Sequence, residues 1–260
     1  MNREPSETGT AGASARPPAL VHRVPAAFDR WFRSAGRPRR QPPLALVYRG
    51  PASLPGCPEA VAALLKCSRW GFDVRYVGPD ADLPLSRRTL AEATLYAQPG
   101  GDELDDAYRH LRRHRRAIRQ FVRSGGRYLG FCLGGYLAGA TPGLALLPGD
   151  SDQYIASPGA TVRSTESTLV QVDWRGRRRT LFFQDGPCFS TRADDGVRVL
   201  ATYPNGTVAA LVVGFGSGRV GVVGPHPEAT ADWYADAGLV ADERLGLDLG
   251  LELVDAVMRS

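Results

Sequence analysis

Gly126-Arg127-Tyr128-Leu129-Gly130-Phe131-Cys132-Leu133-Gly134-Gly135-Tyr136 decides how this chain is read. The apolar run Arg127–Phe131 has the make-up of a buried strand, and the small residues from Leu133 onward suit a tightly packed helix. Gly130-Phe131-Cys132-Leu133-Gly134 is then a sharp strand-to-helix turn. Such a turn lifts its middle side chain above the sheet edge, and the flanking glycines let backbone segments pass closely. The Leu133 N–H, at the start of the helix, points into the same space and is suited to an oxyanion. A small cysteine buried in a tight turn is the plainer reading. The strand–turn–helix context favours a nucleophile.

Working outward, strand and helix patterns alternate before the turn. Leu44–Arg49 reads as a strand stopped by Gly50-Pro51, Pro58–Trp70 as a helix, and Phe72–Val77 as a second strand. Thr94–Gln98 reads as a third strand ending in Pro99-Gly100-Gly101, and Asp102–Arg123 as a helix closed by Gly125-Gly126. Beyond about Gly143 the texture changes to strands Thr161–Val172, Thr180–Gln184, Val197–Tyr203, Val208–Val213 and Arg219–Val223. Turns such as Arg175-Gly176 and Asn205-Gly206 join them, and a helix over Leu245–Met258 follows. This order predicts an α/β fold: a mostly parallel central sheet flanked by helices, with extra antiparallel strands in the second half.

The charge supports one folded domain, residues 44–260, behind a basic tail, residues 1–43. Of 32 basic and 27 acidic residues, eight arginines and only Glu4, Glu7 and Asp29 fall in the tail, so the remainder is neutral. The tail also holds seven of the 20 prolines, and its first twenty residues are expected to be disordered. Ala26–Phe32 suits a short helix. The Arg-rich stretch Arg109–Arg123 carries a buried stripe (Leu111, Ile118, Phe121, Val122) behind an acidic start, so it reads as a solvated helix face. No nucleic-acid partner is expected. Nor is a membrane: no apolar run approaches a span, and the N-terminus lacks a signal peptide's apolar centre. Four scattered cysteines build neither a disulfide scaffold nor a zinc site. A cytoplasmic protein without a metal or cofactor is expected.

A cysteine nucleophile needs a base. His22 lies in the tail and His110 and His114 on the basic helix, which leaves His226 in Gly224-Pro225-His226-Pro227-Glu228, just after a strand. Glu228, two residues on, is placed to orient it. The Gly100-Gly101 turn, also at a strand's end, offers further backbone N–H groups to an oxyanion. Open α/β sheets collect their sites at such ends. Asp102, Cys188 and Tyr136 are further candidates for lining the site, although Asp102 also suits a helix N-cap.

The elbow, the Gly-Gly turn and the late His-Pro-Glu together resemble the class I glutamine amidotransferase superfamily. More narrowly, Tyr48-Arg49-Gly50-Pro51, Pro99-Gly100-Gly101, Gly126–Tyr136 and Gly224–Glu228 are similar to the N-terminal domain of eukaryotic-type biotin–protein ligases. The resemblance spans roughly Leu44 to Trp233. It implies Cys132 as nucleophile, His226 as base and Glu228 as its orienter, with the Gly101 and Leu133 N–H groups as oxyanion donors. It also implies a Cys-dependent amidase or amidotransferase-like hydrolase acting on glutamine or another small amide or peptide. No ATP-binding synthetase motif accompanies these residues, so ammonia transfer would need a separate synthetase or acceptor protein. Two alternatives are a non-catalytic binding or regulatory module with the same fold, and an α/β-hydrolase similar to dienelactone hydrolase. The latter family's order of Cys, Asp, then His differs from the order here.

Overall fold

The computed structural model describes residues 41–191, 196–241 and 245–259. The expectations for residues 1–40, including the Ala26–Phe32 helix, lie outside the described residues.

The first half alternates strand and helix: β1 (Leu44–Tyr48), α1 (Cys57–Cys67), β2 (Asp73–Val77), α2 (Arg87–Ala91), β3 (Leu95–Gln98), α3 (Leu104–Leu111), α4 (Arg115–Arg123), β4 (Arg127–Phe131) and α5 (Leu133–Ala138). Of these, the short α2, capped by Ser86 accepting from the Thr89 N–H, was not expected. The second half is strand-rich: β5 (Ser151–Gln153), β6 (Thr168–Trp174), β7 (Arg177–Phe183), β8 (Pro187–Phe189), β9 (Arg198–Thr202), β10 (Val208–Phe215) and β11 (Gly218–Val223). Helices α6 (Ala231–Asp236) and α7 (Leu247–Met258) follow.

All the strands join one sheet whose main path runs β2-β1-β3-β4-β11-β10-β9-β6-β7, with β8 pairing β10 and β5 off the path. The run β2-β1-β3-β4-β11 is parallel. From β10 onward the pairing is antiparallel. Strand β11 is thus the hinge between the two halves, closing the parallel part beside β4. Parallel strands covered on both faces read as unbroken apolar runs, and β1, β3 and β4 are buried nearly throughout. One face packs against α1 and α7 through Val61, Leu64, Leu65, Leu253 and Val257. The other meets Leu90, Leu111, Ile118, Val122 and Leu137 of α2–α5.

Three local differences from the sequence reading have physical causes. The helix expected over Asp102–Arg123 begins at Leu104, because Glu103 sits extended at the N-cap (φ −64°, ψ 131°), and a 3-10 turn at Arg112–His114 divides it. Asp102 is therefore not the N-cap. The strand expected from Thr161 begins at Thr168, since nearby side chains satisfy the backbone first: the Glu166 N–H donates to Ser164 Oγ and the Thr161 N–H to Tyr154 Oη. The short strands β5 and β8, unforeseen, pair across the mouth of the elbow helix α5. Among the described residues no helix is long and apolar enough to cross a membrane.

Candidate active site

The order β3-β4-β11 brings three strand ends together. The Gly100-Gly101 turn follows β3, Cys132 follows β4 in the middle, and His226 follows β11.

Cys132 sits at φ 46°, ψ −106°, a conformation that side-chain-bearing residues rarely adopt. Holding it there costs roughly 1–3 kcal/mol, which surrounding bonds must offset. Its N–H donates to Val223 O (2.9 Å), and its carbonyl accepts from the N–H groups of Gly135 and Tyr136 (2.8 and 3.1 Å). The glycines are steric requirements. A Cβ on Gly130 would stand 2.3 Å from Gly134 O, and one on Gly134 2.1 Å from Gln98 O. Tyr128, buried in β4, adds a strut by donating to Gly134 O at 2.7 Å.

His226 and Glu228 are both buried, at 4% and 5% exposure. His226 Nδ1 lies 2.8 Å from Glu228 Oε1, which leaves Nε2 free for other partners, and the ring is close enough to Cys132 for the thiol to influence its charge. Burial pulls the imidazole pKa down, but the Glu228 carboxylate, and then Cys132, outweigh it and push the pKa up to about 10. Among the described residues Glu228 Oε2 has no hydrogen-bond partner. Phe182 and Trp233 pack edge-on against the ring, and the His226 backbone N–H donates to Phe182 O at 2.9 Å. Cys132 Sγ also donates to Gln184 O at 3.5 Å.

The oxyanion side is built from the β3 turn. Among the described residues the N–H groups of Gly100, Gly101 and Leu133 have no recorded acceptor. A Cβ on Gly101 would meet Leu133 Cδ2 at 2.3 Å, so the Leu133 side chain packs directly on the glycine. Gly100 faces the other way: His226 Cε1 and Cys57 Sγ stand 2.9 and 3.4 Å from where its Cβ would be. Any side chain there would displace the His226 ring. Sequence reading missed Gln98, the fully buried polar residue that fixes this turn. It accepts from Tyr96 Oη and donates to Ala52 O, each at 2.7 Å, which ties the β1 loop to the β3 end. The visible signal was a glutamine closing an apolar strand directly before Pro-Gly-Gly.

A cavity of about 430 Å³ opens over Cys132. Gly101, Asp102, Leu133 and Tyr136 line it, together with Gln153, Glu166 and Asp185. Tyr136 Oη donates to Asp185 O (3.1 Å), and burial followed by the Asp185 charge raises the phenol pKa. Burial likewise raises the Asp185 carboxyl, against the hydrogen bond from Gln153. Of the candidate lining residues, Asp102 and Tyr136 reach this space. Cys188 does not line it: the residue is buried in β8 within the core. Among the described residues no group of three or more His, Cys, Asp and Glu side chains is placed to hold a metal ion.

Residues 45–144 match the family model of the biotin-protein ligase N-terminal domain. A biotin–protein ligase of Schizosaccharomyces pombe is 27% identical over 169 residues, covering 55% of this chain and 26% of that protein. The chain thus spans about a quarter of the relative's length. Among solved structures, a glutamine amidotransferase superposes with a TM-score of 0.53 at 20% identity, covering 75% of this chain and 99% of the other. PurLQS from Thermotoga maritima gives 0.52 at 19% identity, covering 81% and 97%. The fold is that of the glutamine amidotransferases, and the resemblance to the biotin–protein ligase N-terminal domain holds.

Proposed function

We propose that this chain is a Cys-dependent amidase or amidotransferase-like hydrolase that forms a thioester on Cys132. The observation that supports this most is the adjacency of β3, β4 and β11, which sets a strained cysteine between free backbone donors and a buried, carboxylate-bound imidazole. Cys132 Sγ attacks the amide carbon, forming the S–C bond while the carbonyl π pair moves onto oxygen. The Leu133 and Gly101 N–H groups receive that oxyanion. As it collapses, the C–N bond breaks and the amine leaves with the proton carried on the Sγ–Nε2 axis by His226. Water or an amine then attacks the thioester, gives its proton to His226, and frees the sulfur. Glu228 orients the ring and stabilises its cationic form without reacting.

The cavity's charges restrict the substrate. Among the described residues its charged lining is Asp102, Glu103, Glu166 and Asp185. Beside these carboxylates an acyl group that is neutral or cationic is favoured over one bearing a carboxylate, so free glutamine, which carries an α-carboxylate, is disfavoured. Trapping the thioester tests the reading. Intact mass after incubation with a neutral carboxamide or activated ester should show a hydroxylamine-labile adduct, absent in Cys132→Ala and strongly slowed in His226→Ala. A folded wild-type protein that never acquires the adduct across such acyl donors would leave the binding-module reading in its place.

A further inference from the structure

We propose that a second cavity beside the catalytic centre is a subsite for an apolar, preferably aromatic, substituent on the amine side of the amide. The proposal rests on the thioester reading above. This space, about 490 Å³, is walled by Leu54, Pro55, Cys57, Phe182, Trp233 and Ala237. It adjoins the first cavity, the two sharing Leu54, Glu166 and Gln184 as lining. Cys132 opens into the first cavity, and the second is differently made.

The chemistry assigns the two cavities. Gly101 and Leu133, the oxyanion donors, line the first cavity together with Cys132, so the acyl group lies there. The leaving amine must depart on the side of the group that gives it a proton. That group is His226, and its ring lies edge-on to Phe182 and Trp233, with centroids 5.9 and 5.3 Å away. Those two aromatics are walls of the second cavity. An amine substituent leaving past His226 thus enters an aromatic-walled space with an exposed leucine, Leu54, at its threshold. A primary carboxamide, whose amine side is ammonia, would leave this space unused. The subsite's charged residues are Glu166 and Asp236, which favour a neutral or cationic amine over an anionic one. The substrate class is an N-substituted amide, with the amide nitrogen carrying an alkyl or aryl group.

Two alkylating probes test this without a known substrate: 2-chloroacetamide and N-benzyl-2-chloroacetamide. Both place an amide next to the carbon that Cys132 attacks, releasing chloride, and only the second carries a group for the subsite. Labelling rates at Cys132 are read by intact mass and peptide mapping, each divided by the probe's rate with free N-acetylcysteine. The normalised rate for the benzyl probe should exceed that for the plain probe by about tenfold or more, given the apolar area buried. In Ala237→Trp, which fills the cavity, and in Leu54→Asp, which charges its threshold, that ratio should fall to within about twofold. The ratio needs only folded protein, and two variants guard against one failing to fold. Equal normalised rates in the wild type, or a preference that survives both variants, would overturn the subsite and leave the nucleophile intact. Failure of both probes to label Cys132 would overturn the nucleophile reading and the subsite with it.

Discussion

Glu228→Gln isolates what the buried carboxylate does. Gln keeps an oxygen to accept from His226 Nδ1, at the position where Oε1 now stands 2.8 Å away, but it removes the charge. The imidazole is buried, which by itself depresses its pKa, and it reaches about 10 because Glu228 and Cys132 overcome that burial. Without the larger of those two charges, the burial term regains weight, and titration should fall to about 6.5 or below. At neutral pH the ring would then spend most of its time uncharged. By analogy with other acid–base triads, the rate of chemistry at Cys132 should drop about a hundred- to ten-thousandfold. Stability should change less, by about 1–3 kcal/mol, since a neutral amide beside a neutral imidazole leaves no buried charge unpaired. The titration is followed by NMR of the histidine Cε1–H groups, with the His226 signal assigned through a His226→Asn variant, and the chemistry by Cys132 labelling against pH. If the substituted protein is folded and His226 still titrates near 10, or labelling keeps its wild-type rate, the Glu228–His226 account is wrong.

Three further outcomes are expected. Under brief substoichiometric alkylation, Cys132 should be labelled before the exposed Cys67, while Cys57 and Cys188 lag because burial raises both thiols; a peptide map dominated by Cys67 would contradict this. Gly134→Ala should cost about 1–3 kcal/mol, as its Cβ meets the Gln98 carbonyl of a central strand, whereas Gly214→Ala, with nothing within 4 Å, should be close to neutral; equal melting temperatures for the two would refute the steric account of the elbow. A histidine whose folded pKa lies above its unfolded value stabilises fully below the unfolded pKa, so the contribution of His226 should be complete under about pH 6.5 and fade as pH rises toward about 10. Thermal midpoints across that window should fall in the wild type more steeply than in Glu228→Gln.

The parts legible in the sequence are those whose physics is local. The strand runs before Cys132, the Gly-x-Cys-x-Gly turn and the Gly-Pro-His-Pro-Glu stretch all announce themselves within a dozen residues, and Arg175-Gly176 makes its hairpin with both residues at positive φ. What stayed hidden depends on distant partners. The strands β5 and β8 have three residues each, too few for a period to show, and they exist because they pair each other. Gln98 looked like a strand end, and its worth comes from Ala52, 46 residues earlier. The walls of the second cavity come from the β1 loop, β7 and α6. Cys188 could be read from its Gly-Pro context as pocket lining or, more plainly, as a small semi-buried residue; β8 places it in the core.

The spacing between Cys132 and His226 follows from a single ladder. The strained Cys132 needs an acceptor for its N–H, and Val223 O, the last carbonyl of β11, supplies it. That bond continues the parallel register in which Val223 stands opposite Phe131. It therefore fixes the chain three residues before His226 against the cysteine itself. The intervening Gly224 has no room to vary: its Cβ would meet Pro187 O at 2.1 Å and Tyr203 Oη at 2.2 Å, and that hydroxyl is itself tied to Pro187 O. From there the Phe182 carbonyl takes the His226 N–H and sets the ring's height above the sheet. The same hydrogen bond that relieves the elbow's strain thus measures out the distance to the base. A strand added later in the chain has to insert beside β4, and nowhere else in the sheet, for the two to meet.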